Sequence, residues 1–318
     1  MIIVRTPLRI SFVGGGSDMK EFYSRRDGKV VSSAIDKYVY AIVKERFDDQ
    51  IYINYSRKEC VSHIDEIQHD LVREAMKLTG VKKGVEITTL ADIPSSGSGL
   101  GSSSSITVAL LHAFYTYQNS LVTAEQLALD ACRIEIDILG KPIGRQDQYA
   151  AAYGGINRFI FRSGDTTQRV PVTLTETVRR QFASCLLLYF TGITRNADEI
   201  LSEQAHKLVS PDTFSVMEEM VSLVDPFADA ITKGDIYTCG DLLGKNWEMK
   251  KNLASGISNK GIETMHEKAI ASGALAGKVA GAGGGGFLLL IVPRERQNTV
   301  FEAMGGYREL PFMLEEGG

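Results

Sequence analysis

The alternation of apolar and polar residues divides the chain into a sheet-rich beginning and a more helical remainder. β-Branched and aromatic residues between Gly and Asp turns predict four early strands, Ile2–Val13, Lys29–Ser33, Tyr38–Phe47 and Ile51–Tyr55. Helical character follows at Asp65–Thr79, and Val85–Leu90 has the pattern of a strand. Apolar residues at helical spacing then predict a helix over Ser102–Tyr117, directly after a run of glycine and serine.

The middle of the chain contains another helix, further strands and a change of pattern. Thr123 is predicted to cap a helix that ends near Leu139, and the strand pattern returns over residues 157–174. A loosely patterned, charged stretch, Thr175–Gln181, follows. Because 318 residues suffice for two cores, we place a domain boundary in this stretch, giving residues 1–175 and 176–318.

The last part mixes helices with strands that are far apart in sequence. After the apolar strand Cys185–Phe190, helices are predicted from Ala197 to Ser272. Strands follow at Lys278–Ala280 and Phe287–Val292 with a glycine cluster between them, and then a short helix and a final strand near Tyr307–Met313. This order predicts an α+β layer domain.

Composition narrows the classes of partner. A net charge of −4 and the lack of any Lys/Arg tract argue against a nucleic-acid or polybasic membrane surface. The four cysteines form no CxxC or Cys/His cluster, so neither a zinc site nor a disulfide framework is indicated. With no signal-peptide pattern at the N-terminus, we expect a cytoplasmic protein with a small-molecule ligand, and a homodimer is left open.

The segment from Pro94 to Ser105, here called the Gly/Ser loop, reads PSSGSGLGSSSS and is the strongest chemical signal in the chain. Glycines let backbone N–H groups approach an anion, and the following helix contributes its positive dipole end. A Walker A loop requires lysine after its last glycine, whereas Ser102 follows Gly101. ATP is the expected ligand, and a plain Gly/Ser linker is the alternative. The expected nucleotide-binding residues are Pro94, Ser96, Gly97, Ser98, Gly99, Leu100, Gly101, Ser102, Ser103 and Ser104.

Two further segments have the character of ligand loops. The first motif, Arg5–Asp18, reads RTPLRISFVGGGSD, and the C-terminal glycine loop, Lys278–Phe287, reads KVAGAGGGGF. The latter contains a formal GxGxxG from Gly281 to Gly286, but an apolar strand and not a helix follows it. A dinucleotide-binding hydride-transfer enzyme is therefore disfavoured.

These three segments, in this order along nearly the whole chain, resemble the GHMP kinase family of small-molecule kinases. The resemblance implies an N-terminal domain like ribosomal protein S5 domain 2, a ferredoxin-like C-terminal domain, and an active site between them that uses ATP and Mg²⁺. Within the family, the runs AIDKYVY, GRQDQYAAAYGGIN and NWEMKKNLASGISN resemble heptose-phosphate kinases. The expected reaction is phosphorylation at C1 of D-glycero-D-manno-heptose 7-phosphate. A galactose or fucose 1-kinase and a non-catalytic sugar sensor remain as alternatives.

The resemblance assigns the metal ligands to Ser102 and Glu135. Oxygen donors of this kind suit Mg²⁺. On the predicted helix, Glu135 lies on one flank of the apolar face, whereas Asp130 and Asp137 lie on the other. Geometry alone leaves the three acids open, and the similarity of the segment ACRIE to the family selects Glu135.

The resemblance also suggests two catalytic residues. Asp147 matches an aspartate that lies against the acceptor hydroxyl, and a carboxylate there could act as general base. A helix N-cap is the alternative role for this residue. Arg9 matches the basic residue of the first motif and could compensate charge on Asp147 and the transferred phosphoryl group, with a structural ion pair as its alternative.

Substrate-binding residues are expected in the first motif, where Asp18 matches an aspartate that accepts hydrogen bonds from sugar hydroxyls or, alternatively, forms a turn. Galactokinases carry Glu-His where Gly15 and Gly16 stand, so these glycines leave room for a longer or phosphorylated sugar. Gly283 and Gly284 are included because their loop either approaches the phosphates or packs against the first motif. Four residues are candidates for binding a substrate phosphate: Arg195, the foremost, then Lys37, Lys44 and Arg145.

Overall fold

The computed structural model describes residues 1–94, 97–194 and 197–318. The first half of the chain builds a seven-stranded sheet in the order β4-β3-β5-β2-β6-β7, with β1 also paired to β2. Its strands are β1 (Ile2–Val13), β2 (Gly28–Glu45), β3 (Ile51–Asn54), β4 (Lys58–Val61), β5 (Val85–Ala91), β6 (Ile156–Arg162) and β7 (Thr166–Pro171). Its helices are α1 (Lys20–Tyr23), α2 (Asp70–Thr79), α3 (Ser102–Tyr117), α4 (Ala124–Cys132) and α5 (Gln146–Tyr153).

Strand β2 is longer than predicted, and its pairing also explains why the predicted final strand does not form. The predicted strands Lys29–Ser33 and Tyr38–Phe47 are one strand, which pairs with β6 over residues 28–33 and with β5 over residues 39–45. Between these two ladders the C-terminal tail pairs with β2, where the Asp36 N–H donates to the Met313 carbonyl and the Glu315 N–H donates to the Ala34 carbonyl. The predicted final strand over residues 307–313 is thus only a series of single bridges, because it divides its hydrogen bonds between two sheets.

The second half forms a three-stranded antiparallel sheet in the order β8-β10-β9. Its elements are α6 (Glu176–Ala183), β8 (Leu186–Phe190), α7 (Ala197–Lys207), α8 (Pro211–Ser222), α9 (Val224–Lys233), α10 (Ile236–Lys251), α11 (Lys260–Ala271), β9 (Ala276–Val279), β10 (Phe287–Ile291) and α12 (Gln297–Ala303). Glu309 forms a bridge with Tyr189 at the free edge of β8. In chain order, β8, β9, β10 and this bridge are strand positions 1, 2, 3 and 4 of the sheet. The resulting spatial order 4-1-3-2 is that of a ferredoxin-like sheet, so the α+β class is confirmed.

Helix α6 corrects the prediction of a loosely patterned stretch after residue 175. The Thr175 hydroxyl accepts a hydrogen bond from the Val178 N–H at 3.3 Å and caps the helix, whose apolar end buries Phe182. The proposed domain boundary at residues 175 and 176 therefore coincides with a helix start, and it stays a prediction.

The apolar cores cross this boundary. Phe12 of β1 lies with its ring centroid 5.6 Å from Phe182 and 5.3 Å from Phe227, which joins the first sheet to α6 and α9. A second core around the fully buried Trp247 also includes Phe22 of α1. The walls of the space between the halves are therefore held by shared packing. None of the helices in the described ranges has the length and apolar composition required to span a bilayer.

Candidate active site

The Gly/Ser loop turns sharply into α3. Gly97, Gly99 and Gly101 have φ values of +71°, +74° and +76°, a left-handed conformation that glycine adopts without steric cost. Ser102 is the first residue of the 16-residue helix α3, and its hydroxyl lies 3.3 Å from that of Ser98. The first-turn N–H groups of a helix lack intrahelical partners, so this position suits an anion.

This loop lines a large cavity of about 300 Å³. Seven of the predicted nucleotide-binding residues line it: Gly97, Ser98, Gly99, Gly101, Ser102, Ser103 and Ser104. Leu100 is instead fully buried, and Pro94 lines neighbouring cavities beyond the loop. Ser96 lies outside the described residues, as does Arg195.

The C-terminal glycine loop packs against the Gly/Ser loop, backbone on backbone. A Cβ atom at Gly99 would lie 2.4 Å from the Ala280 carbonyl oxygen, and one at Gly281 would lie 2.7 Å from the Gly99 carbonyl oxygen. The loop contacts both expected partners, because its glycines pack on the Gly/Ser loop while Lys278 Nζ donates to the Ser11 and Phe12 carbonyls of the first motif at 2.8 and 2.9 Å. Within it, Gly284 donates to the Ile257 carbonyl at 2.7 Å, and Gly283 packs on Ile257.

Arg9 and Asp147 form a bidentate ion pair. Arg9 Nε donates to Asp147 Oδ1 at 2.7 Å, and Nη2 donates to Oδ2 at 2.6 Å. Nη1 of Arg9 donates to the Gly99 carbonyl at 2.6 Å, so one guanidinium joins β1, the Gly/Ser loop and α5. The N-cap position of α5 belongs to Arg145, and Asp147 lies in the first turn, which excludes the N-cap alternative. Asp147 remains 24% exposed, and Arg9 only 4%.

Glu135 is the buried acid that faces the large cavity. Its Oε1 accepts a hydrogen bond from the Ser103 hydroxyl at 2.7 Å, and its Oε2 accepts one from Gln148 Nε2 at 2.8 Å. Lys141 Nζ lies 3.5 Å from Oε1 and 3.1 Å from the Ser103 oxygen. The carboxylate belongs to a π-helical segment, Arg133–Ile138, a distortion often found at functional sites.

Of the three acids that the sequence left open, Glu135 lines the large cavity, and the exposed Asp137 does not. Asp130 binds the Tyr115 hydroxyl at 2.7 Å and lies away from the cavity, whereas Glu135 lines it. The Ser103 hydroxyl bonds to Glu135, and Ser102, the serine expected to share the metal with Glu135, lines the same cavity. The donors Ser103 Oγ and Glu135 Oε1 are hard oxygens that fit Mg²⁺, and the Lys141 ammonium shows that they attract a cation.

A small cavity of about 60 Å³ adjoins the large one and has Asp18 in its wall. Asp18 Oδ1 accepts hydrogen bonds from the Gly16 N–H at 2.9 Å and from Gln146 Nε2 at 3.1 Å, and Oδ2 accepts one from the Gln146 N–H at 3.1 Å. Burial raises the pKa of Asp18, and the negative charge of Asp147 raises it further. Asp18 thus orders the turn and also faces the cavity. Arg9 and Asp147 line both cavities.

Comparison with known proteins shows the family to which the chain belongs. Residues 66–155 match the family described as GHMP kinases N terminal domain, and residues 227–308 match GHMP kinases C terminal. The chain is 30% identical over 315 residues to D-glycero-alpha-D-manno-heptose 7-phosphate kinase of Campylobacter jejuni, which covers 95% of this chain and 93% of the relative. The chain belongs to the GHMP kinase family. A kinase that uses ATP, as the resemblance implied, is thereby confirmed.

Two more relatives indicate how far the similarity extends among GHMP kinases. A galactokinase of Pyrococcus furiosus is 25% identical over 344 residues, covering 95% of this chain and 92% of the relative. The crystal structure of a D-glycero-D-manno-heptose 1-phosphate kinase from Bacteroides thetaiotaomicron superposes with a TM-score of 0.84 at 26% identity, covering 100% of this chain and 97% of the other.

Lys250 is a site residue that reasoning from the sequence missed. It extends from α10, is 4% exposed, and donates through Nζ to the Gly281 carbonyl at 2.6 Å in the wall of the small cavity. Burial lowers the pKa of Lys250 to about 8, and the nearby Asp18 only partly offsets this effect. Its one sequence signal is its place in the run NWEMKKNLASGISN.

The other candidate phosphate-binding cations lie elsewhere. Lys37 pairs with Asp36 at 3.0 Å, Arg145 donates to the Asp165 carbonyl at 2.5 Å, and Lys44 lines neither cavity. From the C-terminal glycine loop, the residues that line both cavities are Gly281 and Ala282, and not the predicted Gly283 and Gly284. The described cations that line either of these two cavities are therefore Arg9, Lys141 and Lys250.

Proposed function

We propose that this GHMP kinase transfers the γ-phosphoryl group of ATP to the anomeric hydroxyl of a sugar phosphate, D-glycero-D-manno-heptose 7-phosphate, giving the 1,7-bisphosphate. The observation that carries the proposal is the Arg9–Asp147 pair, which lines both the small cavity and the large one. An acceptor in the small cavity and phosphates in the large cavity would meet at this pair. The named activity of the Campylobacter jejuni relative supports the choice of sugar. A cytoplasmic location belongs to the same proposal.

Asp147 is suited to accept the proton of the acceptor hydroxyl. Each of its oxygens accepts one hydrogen bond from Arg9, and a carboxylate oxygen can accept a second. As the acceptor oxygen forms its bond to the γ-phosphorus and the bond to the β-phosphate oxygen breaks, the hydroxyl proton passes to Asp147. An anomeric hydroxyl is more acidic than an ordinary alcohol, which makes a carboxylate an adequate base.

Arg9 contributes positive charge at the same point. Its guanidinium is 4% exposed and fixed by three hydrogen bonds, so it does not need to reorganise during the reaction. Preorganised charge in a site with little water is worth more than the same charge in solvent. Arg9 therefore orients the base and stabilises charge that develops on the transferred group.

The phosphates would lie against the Gly/Ser loop and the start of α3. The backbone N–H groups there would bind the phosphate oxygens, and Lys141 would neutralise part of their charge. Ser103 and Glu135 would hold Mg²⁺, which supplies charge neutralisation on the β- and γ-phosphates when bound.

The test is an ADP-release assay with ATP and Mg²⁺ against heptose 7-phosphate, unphosphorylated heptose, galactose and fucose, with the position of the new phosphate assigned by ³¹P NMR. Turnover that requires the 7-phosphate and gives a 1,7-bisphosphate supports the proposal. Turnover with galactose or fucose identifies a free-sugar 1-kinase. Sugar binding without turnover identifies a non-catalytic sensor.

A further inference from the structure

Polar side chains from other elements lie close to Gly15 and Gly16 of the first motif. Gly16 has a φ value of +107°, and a Cβ atom there would lie 2.2 Å from Gln204 Nε2. A Cβ atom at Gly15 would lie 3.7 Å from Gln146 Nε2 and 3.8 Å from Lys250 Nζ. The expectation that these glycines leave extra room is therefore wrong at Gly16, because a side chain of α7 fills that position.

Two of these side chains carry buried polar atoms that lack a partner among the described residues. They are Gln146 Oε1, an acceptor, and Gln204 Nε2, a donor. Gln204 is 1% exposed, and both glutamines line the small cavity together with Asp18. Buried polar groups in proteins are nearly always hydrogen-bonded, so an unpaired donor and an unpaired acceptor on two residues that line one cavity indicate a polar ligand.

Lys250 adds further donors to the same wall. An ammonium group has three N–H donors, and the described partner of Lys250 Nζ is one acceptor, the Gly281 carbonyl oxygen. With the carboxylates of Asp18 and Asp147, the small cavity thus offers both donors and acceptors over a short distance. A hydroxyl group donates and accepts at once, so a ligand with adjacent hydroxyls fits this pattern.

We infer that Gln204, Gln146 and Lys250 recognise the hydroxyl groups of the acceptor sugar, so that two of the three specificity-determining side chains come from α7 and α10 and none from the glycines of the first motif. This inference rests on the proposed function. It assigns two of the three recognition residues, Gln204 and Lys250, to the second half of the chain, whereas Gln146 belongs to the first half, like the base Asp147.

The variant Gln204→Met tests the inference with little change in shape. Removing the amide should raise the KM for the acceptor about tenfold or more, since a site built to hydrogen-bond a hydroxyl loses that contact, while the KM for ATP stays within about twofold. Because the amide nitrogen is unsatisfied, the midpoint of thermal unfolding should not fall. Gln181→Met, at an exposed glutamine of α6, is the matched control and should change neither constant.

Deoxy analogues of the accepted sugar give the decisive readout. The analogue that lacks the hydroxyl bound by Gln204 should have a lower kcat/KM than the parent sugar with the wild-type enzyme. With Gln204→Met the two sugars should have equal kcat/KM, because the hydroxyl and the amide are the two ends of one hydrogen bond. Lys250→Met should show the same loss of discrimination at a different hydroxyl.

The inference fails if both variants keep the wild-type acceptor KM within about twofold and discriminate the analogues as the wild type does. In that case the proposed function stands, because the wild type still phosphorylates the sugar. If the wild type phosphorylates no sugar, the proposed function and this inference both fail.

Discussion

Arg9 and Asp147, 138 residues apart in sequence, are joined by two parallel hydrogen bonds of 2.7 and 2.6 Å. The pair fixes the orientation of the carboxylate at the junction of the two cavities. Because the same guanidinium also binds the Gly99 carbonyl, displacement of either the Gly/Ser loop or α5 would disturb the pair.

Asp147→Asn should lower kcat by about 10² or more, because the amide cannot accept the acceptor proton. Arg9→Lys should also lower kcat, since an ammonium group cannot make both parallel contacts. Steady-state kinetics of both variants, with ATP binding by calorimetry as the control for folding, would check this. Unchanged turnover in Asp147→Asn would remove Asp147 from the mechanism.

Ser103→Ala and Glu135→Gln should each raise the Mg²⁺ concentration for half-maximal activity by about tenfold or more, because each variant weakens the oxygen pair at Lys141. A Mg²⁺ titration at saturating ATP measures the effect. Thr116→Ala, on an exposed turn of the same helix, is the control. A response in the control equal to that of Ser103→Ala would contradict a specific metal role.

Gly99→Ala should destabilise the contact between the two glycine loops, because its Cβ would lie 2.4 Å from the Ala280 carbonyl oxygen. Gly164→Ala is matched in backbone conformation, with φ +82° against +74°, but its Cβ meets open space. The control thus isolates the backbone strain, of about 1–2 kcal/mol. We expect Gly99→Ala to lower the free energy of unfolding further and to weaken ATP binding, as measured by urea denaturation and calorimetry. Equal losses in the two variants would mean that the loops tolerate separation.

The pKa of Lys250, lowered to about 8 by burial, predicts opposite trends in activity and stability. If the protonated amine binds the acceptor, kcat/KM for the sugar falls as pH rises above about 8. The unfolded chain has the ordinary lysine pKa of 10.5, so it binds more protons than the folded state between about pH 8 and 10.5. The contribution of Lys250 to the free energy of unfolding therefore rises over that window.

The variant Lys250→Met checks both trends. Its kcat/KM should be lower than that of the wild type at pH 7 and should lack the fall near pH 8. Its free energy of unfolding, relative to that of the wild type, should fall as the pH rises from about 8 to 10.5, because methionine lacks the contribution that rises in the wild type. An alkaline fall that persists in Lys250→Met would assign the titration to another group.

Removal of residues 311–318 should lower the midpoint of thermal unfolding by a few degrees, at about 1–2 °C for each kcal/mol in a chain of this length. The tail fills the gap in the β2 ladder, where Asp36 and Ala34 bond to Met313 and Glu315. Scanning calorimetry would measure the change, with removal of residues 317–318 as the milder comparison. An unchanged midpoint would show that the tail is not needed to complete the sheet.

The sequence was sufficient to predict features that depend on local backbone geometry. Gly97, Gly99 and Gly101 stand where φ is positive, and the helix after them begins at Ser102 as predicted. The spacing of such residues is a property of a short segment, so the resemblance to GHMP kinases could be recognised before any contact was known.

Contacts between distant segments were decided only by the tertiary structure. Whether Ser102 or Ser103 reaches Glu135 depends on how α3 packs beside the π-helical segment after α4, because neighbouring residues of a helix point about 100° apart. Likewise, β2 is one strand because the C-terminal tail completes its ladder, and no pattern near residue 36 indicates that partner.

By itself the sequence determined the three glycine segments and the family they indicate, and the resemblance to that family singled out Arg9 and Asp147 as candidates. The tertiary structure decided which polar side chains surround the small cavity. Gln204 and Lys250 lie on helices whose polar residues would ordinarily face solvent, and only the packing of α7 and α10 against the first motif buries them. Burial, and with it the altered pKa of Lys250, is a property of the assembled fold and not of a segment.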